Sequence, residues 1–440
     1  MKLSGWGRFP MHEAAVFAPR DEDALTARIK VGGLIARGNG RAYGDSAVSS
    51  ANTVQMRHFN RLIAFDASTG QLVAEAGVLL ADIIAAVLPL GWFPAVTPGT
   101  KFVTLGGMIA ADVHGKNHHR DGSIGGFVDW VDLMDENGAV QHCSAQENPE
   151  LFAWTIGGMG LTGVILRAAL RLRRVETAWI KQTIQPAANL AAAIAVFEQS
   201  DDALYSVAWI DCLSRGEALG RSLVMMGEHA GLDDLSQKQR HTPFVCRPKS
   251  QKSVPFTLPS GVLNATTVRA FNAVYYWKGA RQSSPSLVDW DSYFYPLDAV
   301  LGWNKIYGRK GFAQFQCVLP MDQAQDGLRA LLEAISAAGA GSFLAVLKRF
   351  GSQHGKFSFP MPGYTLALDF PINAKTLVLL NRLDQLTLAH GGRFYLAKDS
   401  RMTAQTLRLS DSRTPDFVGM RAAKLLRPAF QSAQSERLEL

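Results

Sequence analysis

Residues 112–119, Asp-Val-His-Gly-Lys-Asn-His-His, place three histidines and a lysine within eight positions. Such a group can bind a metal ion, relay protons or form the wall of a cofactor pocket. His118 and His119 are adjacent, and no carboxylate–histidine spacing typical of a zinc site accompanies them. We therefore expect no metal here, and the residues alone leave proton relay and pocket wall open.

A glycine-dense loop precedes this stretch. Residues 36–45, Ala-Arg-Gly-Asn-Gly-Arg-Ala-Tyr-Gly-Asp, follow a predicted strand. Alternate glycines let backbone N–H groups curl round an anion such as a diphosphate. The loop has neither the Gly-Lys-Ser/Thr ending of an NTPase loop nor the Gly-x-Gly-x-x-Gly spacing of a Rossmann site. A purely structural turn is the alternative.

Two further segments, residues 98–115 and 156–163, are also rich in glycine. Three such turns, each beside a predicted strand, favour a binding surface for one large flat ligand. A dinucleotide with a fused ring system fits this surface.

The elements that must position these loops predict an α+β fold. Residues 30–180 alternate short β-rich runs with glycine, and we expect strands there, including one over residues 103–110. Helices are predicted over residues 19–31 and 80–88. Residues 129–143 predict a hairpin that turns at Asn137-Gly138.

After about Ala178 the pattern changes to strand–helix–strand repetition, which predicts one antiparallel sheet backed by helices. The predicted strands are residues 205–211, 312–319 and 364–370, and the predicted helices are residues 189–199, 324–338 and 374–390.

The length of 440 residues, 47% of them hydrophobic, suits two domains. The longest apolar candidate for a membrane span, residues 76–97, contains Asp82, Pro89 and Pro94, so we predict no transmembrane helix. The N-terminal residues lack the continuous apolar core of a signal peptide. The expected location is cytoplasmic, or peripheral at the inner membrane. The four cysteines form no Cys-x-x-Cys pair and are interpreted as buried spectators.

The net charge of +7 suits an anionic partner. Between Leu235 and Val288 there are eight Lys or Arg, no Asp or Glu, and several aromatic residues. This basic segment fits a membrane surface with anionic lipid or a single-stranded nucleic acid. A solvated loop is the alternative. No other nucleic-acid motif accompanies it, so we expect no nucleic-acid partner.

The motifs together resemble a known family. The Arg-Gly-x-Gly-Arg-x-Tyr-Gly-Asp loop, the Gly-Gly-x-Ile-Ala-x-Asp-x-His-Gly-Lys run and Gly-Gly-x-Gly-Leu-Thr-Gly are similar to the PCMH-type FAD domain of vanillyl-alcohol-oxidase flavoproteins. More narrowly, Asp369-Phe370-Pro371-Ile372 and Tyr395-x-Ala-Lys-Asp-Ser-Arg resemble the decaprenylphosphoryl-β-D-ribose 2-oxidase family. The resemblance covers nearly the whole chain.

This resemblance implies an α+β protein with two domains. Residues 1–177 would bind FAD, residues 178–392 would form an antiparallel-sheet substrate (cap) domain, and residues 393–440 would return to the FAD domain. The cofactor contacts that it implies are Ala36, Arg37, Gly38, Asn39, Gly40, Arg41, Ala42, Tyr43, Gly44, Asp45, Gly99, Thr104, Leu105, Gly106, Gly107, Ala111, Asp112, Val113, His114, Ile165 and Tyr395.

Alcohol oxidation needs a hydride acceptor, a base for the hydroxyl proton and dipoles that stabilise a developing alkoxide. By the resemblance, Lys398, on a strand returning to the FAD domain, is the catalytic base or an electrostatic anchor, because burial beside other cations lowers a lysine pKa. An exposed lysine paired with Asp399 is the alternative. His114 would lie against the flavin and Lys116 beside the substrate, so the pocket-wall interpretation of residues 112–119 prevails.

The implied substrate-binding residues lie on several segments. Gln314 and Gln316, two apart on one strand, point to the same face and can hydrogen-bond sugar hydroxyls. The other members of this predicted set are Trp209, Lys348, Phe350 and Thr365.

The sequence departs from the mycobacterial members at three positions. Ala367 stands where mycobacterial members have a cysteine, so inhibitors that bond to that cysteine should not label this chain. Thr365 replaces an asparagine and Phe294 a tyrosine, which leaves the exact sugar open. Arg41-Ala42 stands where related sugar oxidases have the histidine that is bonded to the flavin, so we predict non-covalent FAD, with His114 as the alternative attachment point.

The resulting hypothesis is an FAD-dependent oxidoreductase that converts the 2′-hydroxyl of a polyprenyl-phosphate-linked pentofuranose to a ketone. A separate NAD(P)H-dependent short-chain reductase would complete an epimerisation to the arabinofuranose donor, and peripheral membrane contact is expected. The rival enzyme is an oxidase of free sugars, alditols or aldonolactones. The rival without activity is a lipid- or nucleic-acid-binding protein with an inactive flavin fold, which an intact Lys398 disfavours.

Overall fold

The computed structural model describes residues 1–246, 252–259, 261, 264–282, 285–342, 344–353 and 355–440. Parts of the basic segment between Leu235 and Val288 therefore lie outside the described residues. The strands are β1 (Lys2–Leu3), β2 (His12–Glu13), β3 (Val16–Phe17), β4 (Leu34–Arg37), β5 (Asn52–Gln55), β6 (Leu62–Asp66), β7 (Gln71–Glu75), β8 (Trp92–Pro94), β9 (Val128–Met134), β10 (Val140–Ser144), β11 (Val164–Arg174), β12 (Trp179–Ala187), β13 (Tyr205–Ile210), β14 (Ser222–His229), β15 (Lys252–Ser253), β16 (Ser286–Asp289), β17 (Val300–Leu301), β18 (Phe312–Pro320), β19 (Ala345–Phe350), β20 (Gly363–Pro371) and β21 (Arg393–Phe394). The α-helices are α1 (Glu22–Ile29), α2 (Leu80–Val87), α3 (Leu105–Ala110), α4 (His118–Asp121), α5 (Pro149–Thr155), α6 (Leu190–Gln199), α7 (Gln237–Arg240), α8 (Ala265–Gly279), α9 (Trp290–Phe294), α10 (Ala324–Ala338), α11 (Ala374–Ala389), α12 (Ala404–Ser410), α13 (Thr414–Ala423), α14 (Leu426–Ala429) and α15 (Ala433–Leu438).

The predicted helices are confirmed where apolar spacing and capping agree. In α2 the residues at 80, 83, 84 and 87 are buried, as the helical period requires. The carboxylate of Asp21 caps α1 by accepting a hydrogen bond from the Ala24 N–H at 2.8 Å. Helix α10 has the predicted bounds and ends at Gly339, whose φ of +63° is the left-handed conformation of a C-terminal cap. The helix predicted over residues 19–31 is shorter than expected, since α1 covers only Glu22–Ile29.

The N-terminal part contains two larger sheets and the short antiparallel pair of β1 and β2. Strands β3, β5 and β4 form a parallel sheet in that order. Strands β10, β9, β11, β7 and β6 form an antiparallel sheet, and β8 pairs with β11. The predicted hairpin is confirmed, because β9 and β10 pair antiparallel and Gly138 takes a φ of +84° at the turn. These sheets hold the glycine-rich loops at their strand ends.

An eight-stranded sheet follows, in the order β16-β12-β14-β13-β19-β20-β18-β21. All its neighbouring strands are antiparallel, so the prediction of an antiparallel sheet is confirmed. Helices α6, α10 and α11 pack on it and share one apolar core with its strands. The α+β class with antiparallel sheets is therefore correct.

The register of this sheet brings distant residues together. Gln316 on β18 lies opposite Ala367 on β20, and Ala367 lies opposite Val346 on β19. Val346 in turn lies opposite Trp209 on β13. In the adjacent row Thr365 lies opposite Lys348. Directly paired residues point to the same face, so four strands present one continuous polar and aromatic surface.

Two local predictions are wrong. Residues 105–110 form helix α3 rather than the predicted strand, because the Thr104 side chain caps the helix by accepting from the Gly107 N–H at 3.3 Å and Leu105, Met108 and Ile109 are buried at helical spacing. Lys398 lies in a turn rather than on a strand. The strand β21 ends at Phe394, and the Lys398 N–H donates to the Tyr395 carbonyl at 2.9 Å.

The C-terminal residues contact the N-terminal part. The Gln431 N–H donates to the Leu34 carbonyl at 2.9 Å, and the Ala433 N–H donates to Val48 at 2.7 Å. Arg437 pairs with Asp45 at 2.7 Å and with Asp399 at 2.9 Å. Within the described ranges, no helix combines the length and apolar character needed to cross a membrane.

Candidate active site

A cavity of about 410 Å³ lies between the glycine-rich loops and the polar face of the eight-stranded sheet. Its size falls in the range of about 300–1,000 Å³ that is typical of small-molecule and cofactor sites. At one end it is lined by backbone and small side chains, and at the other by lysines, glutamines and aromatic rings. The cavity therefore combines a glycine-rich part with a polar, cationic part.

Glycine is required at the end of the cavity that the glycine-rich loops form. A Cβ added at Gly38 would collide with the Thr104 hydroxyl, so the 36–45 loop and the start of α3 approach closer than any side chain would permit. Gly40 has a φ of +63°. An added Cβ at Gly99 would meet no atom within 4 Å and would instead intrude on the cavity. The loops thus leave backbone groups exposed to a ligand.

Arg41 supplies a cation at this end. Its guanidinium lies 4.1 Å from the Trp6 ring centroid and 5.2 Å from that of Phe102. Its Nε is buried and has no hydrogen-bond partner in the described part of the chain, and burial lowers the pKa of Arg41. A buried N–H without a partner is costly, and an anionic ligand such as a diphosphate satisfies it. These residues fit the phosphate part of a dinucleotide.

Most of the predicted cofactor-contact residues lie on the cavity wall. These are Ala36, Gly38, Asn39, Gly40, Arg41, Ala42, Tyr43, Gly99, Thr104, Gly106, Gly107, Ala111, Val113, His114, Ile165 and Tyr395.

Five predicted cofactor residues lie elsewhere. The Arg37 guanidinium binds the carbonyls of Ser4 and Ala47. Gly44 packs against the backbone of Asp399, and Asp45 pairs with Arg437. Leu105 is in the apolar core. Asp112, at a φ of +40°, accepts from the Gly125 N–H at 2.9 Å and from the Gln353 amide at 2.6 Å. The side chains at these positions hold the loops rather than line the cavity.

His114 is held neutral at the polar end. Gln316 Nε2 donates to His114 Nε2 at 3.1 Å and to Thr365 Oγ1 at 3.2 Å, which assigns the imidazole proton to Nδ1. Burial first, and then the charges of Lys348, His118 and Lys398, lower the pKa of His114 well below its usual value. Nδ1 is buried without a partner among the described residues. It is therefore available as a donor.

Gln316 offers its carbonyl oxygen to a ligand. Both hydrogens of its amide nitrogen are used by His114 and Thr365, and the side chain lines the cavity. The atom left for a ligand is therefore Oε1, which accepts hydrogen bonds. Gln314 is fixed differently, because its Nε2 donates to Asp369 Oδ1 at 2.6 Å. The indole N–H of Trp209 also has no described partner and lies on the wall.

Three lysines face the same end of the cavity. Burial lowers the pKa of Lys348 to about 8. Burial, aided by the charge of Lys348, lowers the pKa of Lys116 to about 7. Lys116 Nζ donates to the Tyr293 carbonyl at 2.5 Å, so it has no carboxylate partner there. The arrangement is a cluster of cations that repel one another.

Lys398 is the third lysine at the polar end of the cavity. Its Nζ lies 3.7 Å from the centroid of the Tyr43 ring, and its partial exposure is to the cavity. Burial lowers its pKa, the charge of Asp369 opposes this and the charge of Lys348 adds to it. Asp399 instead binds Arg437, which contradicts the alternative of a Lys398–Asp399 pair. A lysine with a lowered pKa can accept a proton near neutral pH.

Asp369 lies behind this cluster. It is fully buried, accepts from Gln314 at 2.6 Å and contacts the Tyr307 hydroxyl at 3.4 Å. Burial raises the pKa of Asp369, while the Gln314 hydrogen bond and the Lys398 charge oppose this. Its position fixes the amide of Gln314.

The remaining predicted residues support the wall. Phe350 does not line the cavity, because it is fully buried with its ring 4.8 Å from His114 and 4.3 Å from His118. His118 Nε2 lies 2.5 Å from Gln353 Oε1, and His119 Nε2 lies 2.8 Å from the Ala203 carbonyl. Both histidines therefore brace the loop through these contacts. Trp209, Gln314, Gln316, Lys348, Thr365, Lys116 and Lys398 all line the cavity.

Several lining residues carried no recognisable sequence signal. Trp6 and Trp303 meet edge to face at 5.8 Å, and Tyr275 lies 4.9 Å from Trp209. Asp298 accepts from the Lys101 N–H at 2.8 Å. Aromatic residues at unrelated positions are found only when the chain folds.

Comparison with known proteins agrees with this geometry. A family model described as an FAD binding domain matches residues 13–144. With the antiparallel sheets and the glycine-lined cavity, this match defines the class: the protein is an FAD-dependent oxidoreductase with a PCMH-type FAD-binding domain.

Similarity over the whole chain narrows the class. The chain is 35% identical over 450 residues to decaprenylphosphoryl-beta-D-ribose oxidase from Mycolicibacterium smegmatis, covering 100% of this chain and 97% of that relative. The chain belongs to the decaprenylphosphoryl-β-D-ribose oxidase family. An uncharacterized protein of Streptomyces coelicolor is 34% identical over 80% of this chain and 98% of its own. L-gulonolactone oxidase of Bos taurus is 29% identical, but over only 30% of each chain.

Proposed function

We propose that the protein oxidises the 2′-hydroxyl of a polyprenyl-phosphate-linked pentofuranose, of the decaprenylphosphoryl-β-D-ribose type, to the 2′-keto form. The observation that carries this proposal is the cluster of Lys116, Lys348 and Lys398 at the polar end of the cavity, beside the acceptor oxygen of Gln316. The charge of Lys348 lowers the pKa of both Lys116 and Lys398, so this group of buried cations calls for an anionic ligand, and an amide oxygen calls for a hydroxyl. A phosphorylated sugar has both groups. The name of the M. smegmatis relative supports the same substrate.

Different residues of this chain carry out different parts of the proposed reaction. Bound FAD supplies the hydride acceptor. Lys398, as the neutral amine, accepts the proton of the reacting hydroxyl, while Lys348 and Lys116 hold the phosphate. Gln316 Oε1 orients a neighbouring hydroxyl, and neutral His114 presents its Nδ1–H to the same space. Burial of this end by aromatic rings excludes water and strengthens each interaction.

We also propose that the chain is divided into two domains. Residues 1–177 and 393–440 would form the FAD domain and residues 178–392 the substrate domain. FAD would be held non-covalently, because Arg41 and Ala42 line the cavity at the positions where related sugar oxidases have the histidine that is bonded to the flavin. Acid denaturation should then release the flavin. A separate NAD(P)H-dependent reductase would reduce the keto sugar to complete an epimerisation.

Anaerobic reduction of the flavin tests the substrate. We expect polyprenyl-phosphoryl ribose to bleach the oxidised flavin absorption, and free ribose and alditols at the same concentration to leave it unchanged, because neutral polyols leave the lysine cluster uncompensated. Bleaching by the free polyols instead would make the protein a soluble-sugar oxidase. A preparation without flavin would contradict both enzyme assignments and leave the binding-protein alternative.

Lys348→Met should weaken substrate binding rather than FAD binding. Loss of a charged hydrogen bond to phosphate costs about 1.5–3 kcal/mol, so we expect the Kd of the lipid-linked sugar to rise about 10- to 100-fold. Binding should also weaken in the parent protein as pH rises through about 8, the pKa of Lys348, because the proton and its charge are lost above that value.

Substrate titration under anaerobic conditions measures this effect. Lys375→Met is the matched control, because Lys375 is exposed at the start of α11. An unchanged Kd in Lys348→Met, or a pH dependence of binding identical in the variant and the parent, would remove Lys348 from the phosphate site.

A further inference from the structure

Helix α8 displays an exposed apolar face. Val274 is 65% exposed, Trp277 57% and Phe271 43%. Residues 271, 274 and 277–278 lie on one side of a helix by the period of 3.6 residues. The face is defined here as Phe271, Val274 and Trp277 with the neighbouring cations Lys278 and Arg281. Such large apolar side chains are unusual on a face directed to water.

The helix itself is firmly held by its other side. Val268 and Asn272 are buried, and Asn272 Nδ2 donates to Asp211 Oδ1 at 2.6 Å. A Cβ at Gly279 would collide with Leu223 of β14, which shows how closely the helix end packs. The exposed face is therefore a fixed feature of the fold.

The α8 face is continuous with the cavity. Tyr275, the residue between Val274 and the buried side, is 39% exposed and also lines the cavity. Its ring lies 4.9 Å from that of Trp209, which stands in the same cross-strand row as Gln316. An aromatic path thus joins the polar end of the cavity to the α8 face.

The charged residues in the sequence around α8 are all cations. Between Leu235 and Val288 the sequence contains no Asp or Glu. Arg281 lies over the Trp277 ring at 4.5 Å, and Lys278 is exposed beside it. Apolar and aromatic side chains flanked by cations are the composition of helices that lie in the interface of an anionic bilayer.

We propose that the α8 face docks the protein on the surface of a bilayer that contains anionic lipid, with Val274 and Trp277 inserted among the acyl chains and Lys278 and Arg281 at the headgroups. Docking places Tyr275, which is exposed and also lines the cavity, against the membrane, so a lipid-linked sugar reaches the lysine cluster while its chain stays in the bilayer. This deepens the proposed function and, for the substrate, rests on it.

Vesicle sedimentation with the full-length, FAD-loaded chain tests the surface. The probes are vesicles of phosphatidylcholine alone and of phosphatidylcholine with phosphatidylglycerol. We expect the parent to bind the anionic vesicles and to bind them less at high salt, because salt screens the cations. Val274→Asp with Trp277→Asp should lower the partition coefficient at least about tenfold. Val378→Asp, on the 71% exposed valine of α11, should bind like the parent.

The outcomes separate the two proposals. Equal vesicle binding by the parent and the α8 double variant, or no binding by the parent, overturns docking through α8. A change in the mass of the chain in solution with vesicle binding unchanged makes the α8 face a self-association surface and also overturns it. Flavin bleaching by the lipid-linked sugar in detergent is measured in parallel. Bleaching without α8-dependent binding leaves the function standing, and binding without bleaching leaves only the docking surface.

Discussion

Lys398→Met is expected to retain FAD and to slow flavin reduction by the lipid-linked sugar by about 10²- to 10⁴-fold, the usual contribution of a positioned general base. Methionine keeps most of the side-chain volume and the contact with Tyr43 but cannot accept the proton. Lys398 is placed for this role because it lies in the turn after β21, with its amine over the Tyr43 ring and open to the cavity. Stopped-flow absorbance under anaerobic conditions measures the rate.

Lys398→Arg separates a base from an electrostatic anchor. Arginine keeps the charge but stays protonated at any working pH. A base predicts that both variants lose the rate, whereas an anchor predicts that arginine retains much of it. Lys356→Met, on an exposed lysine, is the control and should reduce its flavin like the parent.

The direction in which the rate of flavin reduction changes with pH also distinguishes a base from an electrostatic anchor. Burial lowers the pKa of Lys398 from its usual value, so the neutral amine becomes available well below pH 10. A base therefore predicts a reduction rate that rises with pH near neutrality and then levels off. A rate that falls over this range would instead require the protonated amine. In Lys398→Met this part of the profile should disappear.

Gly38→Val is expected to yield a folded chain with little flavin. The Cβ would collide with Thr104 Oγ1, and the loop and the N-terminus of α3 would have to separate. Overpacking of this kind costs about 1–3 kcal/mol. Displacement of Thr104 also removes the N-cap of α3, which costs about 1 kcal/mol more. Because FAD binding requires the 36–45 loop and α3 to stay closely packed, we expect this strain to oppose binding, and a cost of about 3 kcal/mol corresponds to a loss of FAD affinity of about 100-fold. Flavin fluorescence titration of the apoprotein measures it.

Gly419→Val provides the matched control for this prediction. Gly419 is exposed in α13, and a Cβ there meets no atom within 4 Å. We expect this variant to bind FAD like the parent. Circular dichroism establishes that Gly38→Val is folded, and undiminished FAD affinity in a folded Gly38→Val chain would show that the 36–45 loop does not form the cradle.

Secondary structure was predictable where one local pattern decided it. The spacing of Leu80, Ile83, Ile84 and Val87 in α2 and the Asn137-Gly138 turn needed no distant residue. Residues 105–110 are predicted as a strand because Val103, Thr104 and Ile109 are β-branched and because two glycines lower the helix propensity. The helix forms because Thr104 caps it and because Gly106 lets it pack against Ala76, and Ala76 is distant in sequence.

The sequence by itself determined the chemistry that the chain carries. It showed the glycine loops, the lysine at position 398, the paired glutamines on one strand and, through the motifs, the flavoprotein class. These are local properties of residue type and spacing, and folding does not alter them.

The tertiary structure decided which of these residues act together. Lys116, Lys348 and Lys398 come from three distant segments, and only the sheet register and the turn after β21 bring them to one cavity. Burial lowers the pKa of all three lysines, and the charge of Lys348 lowers the pKa of Lys116 and of Lys398 further. Desolvation and mutual repulsion depend on distances in space, which the order of residues along the chain does not contain.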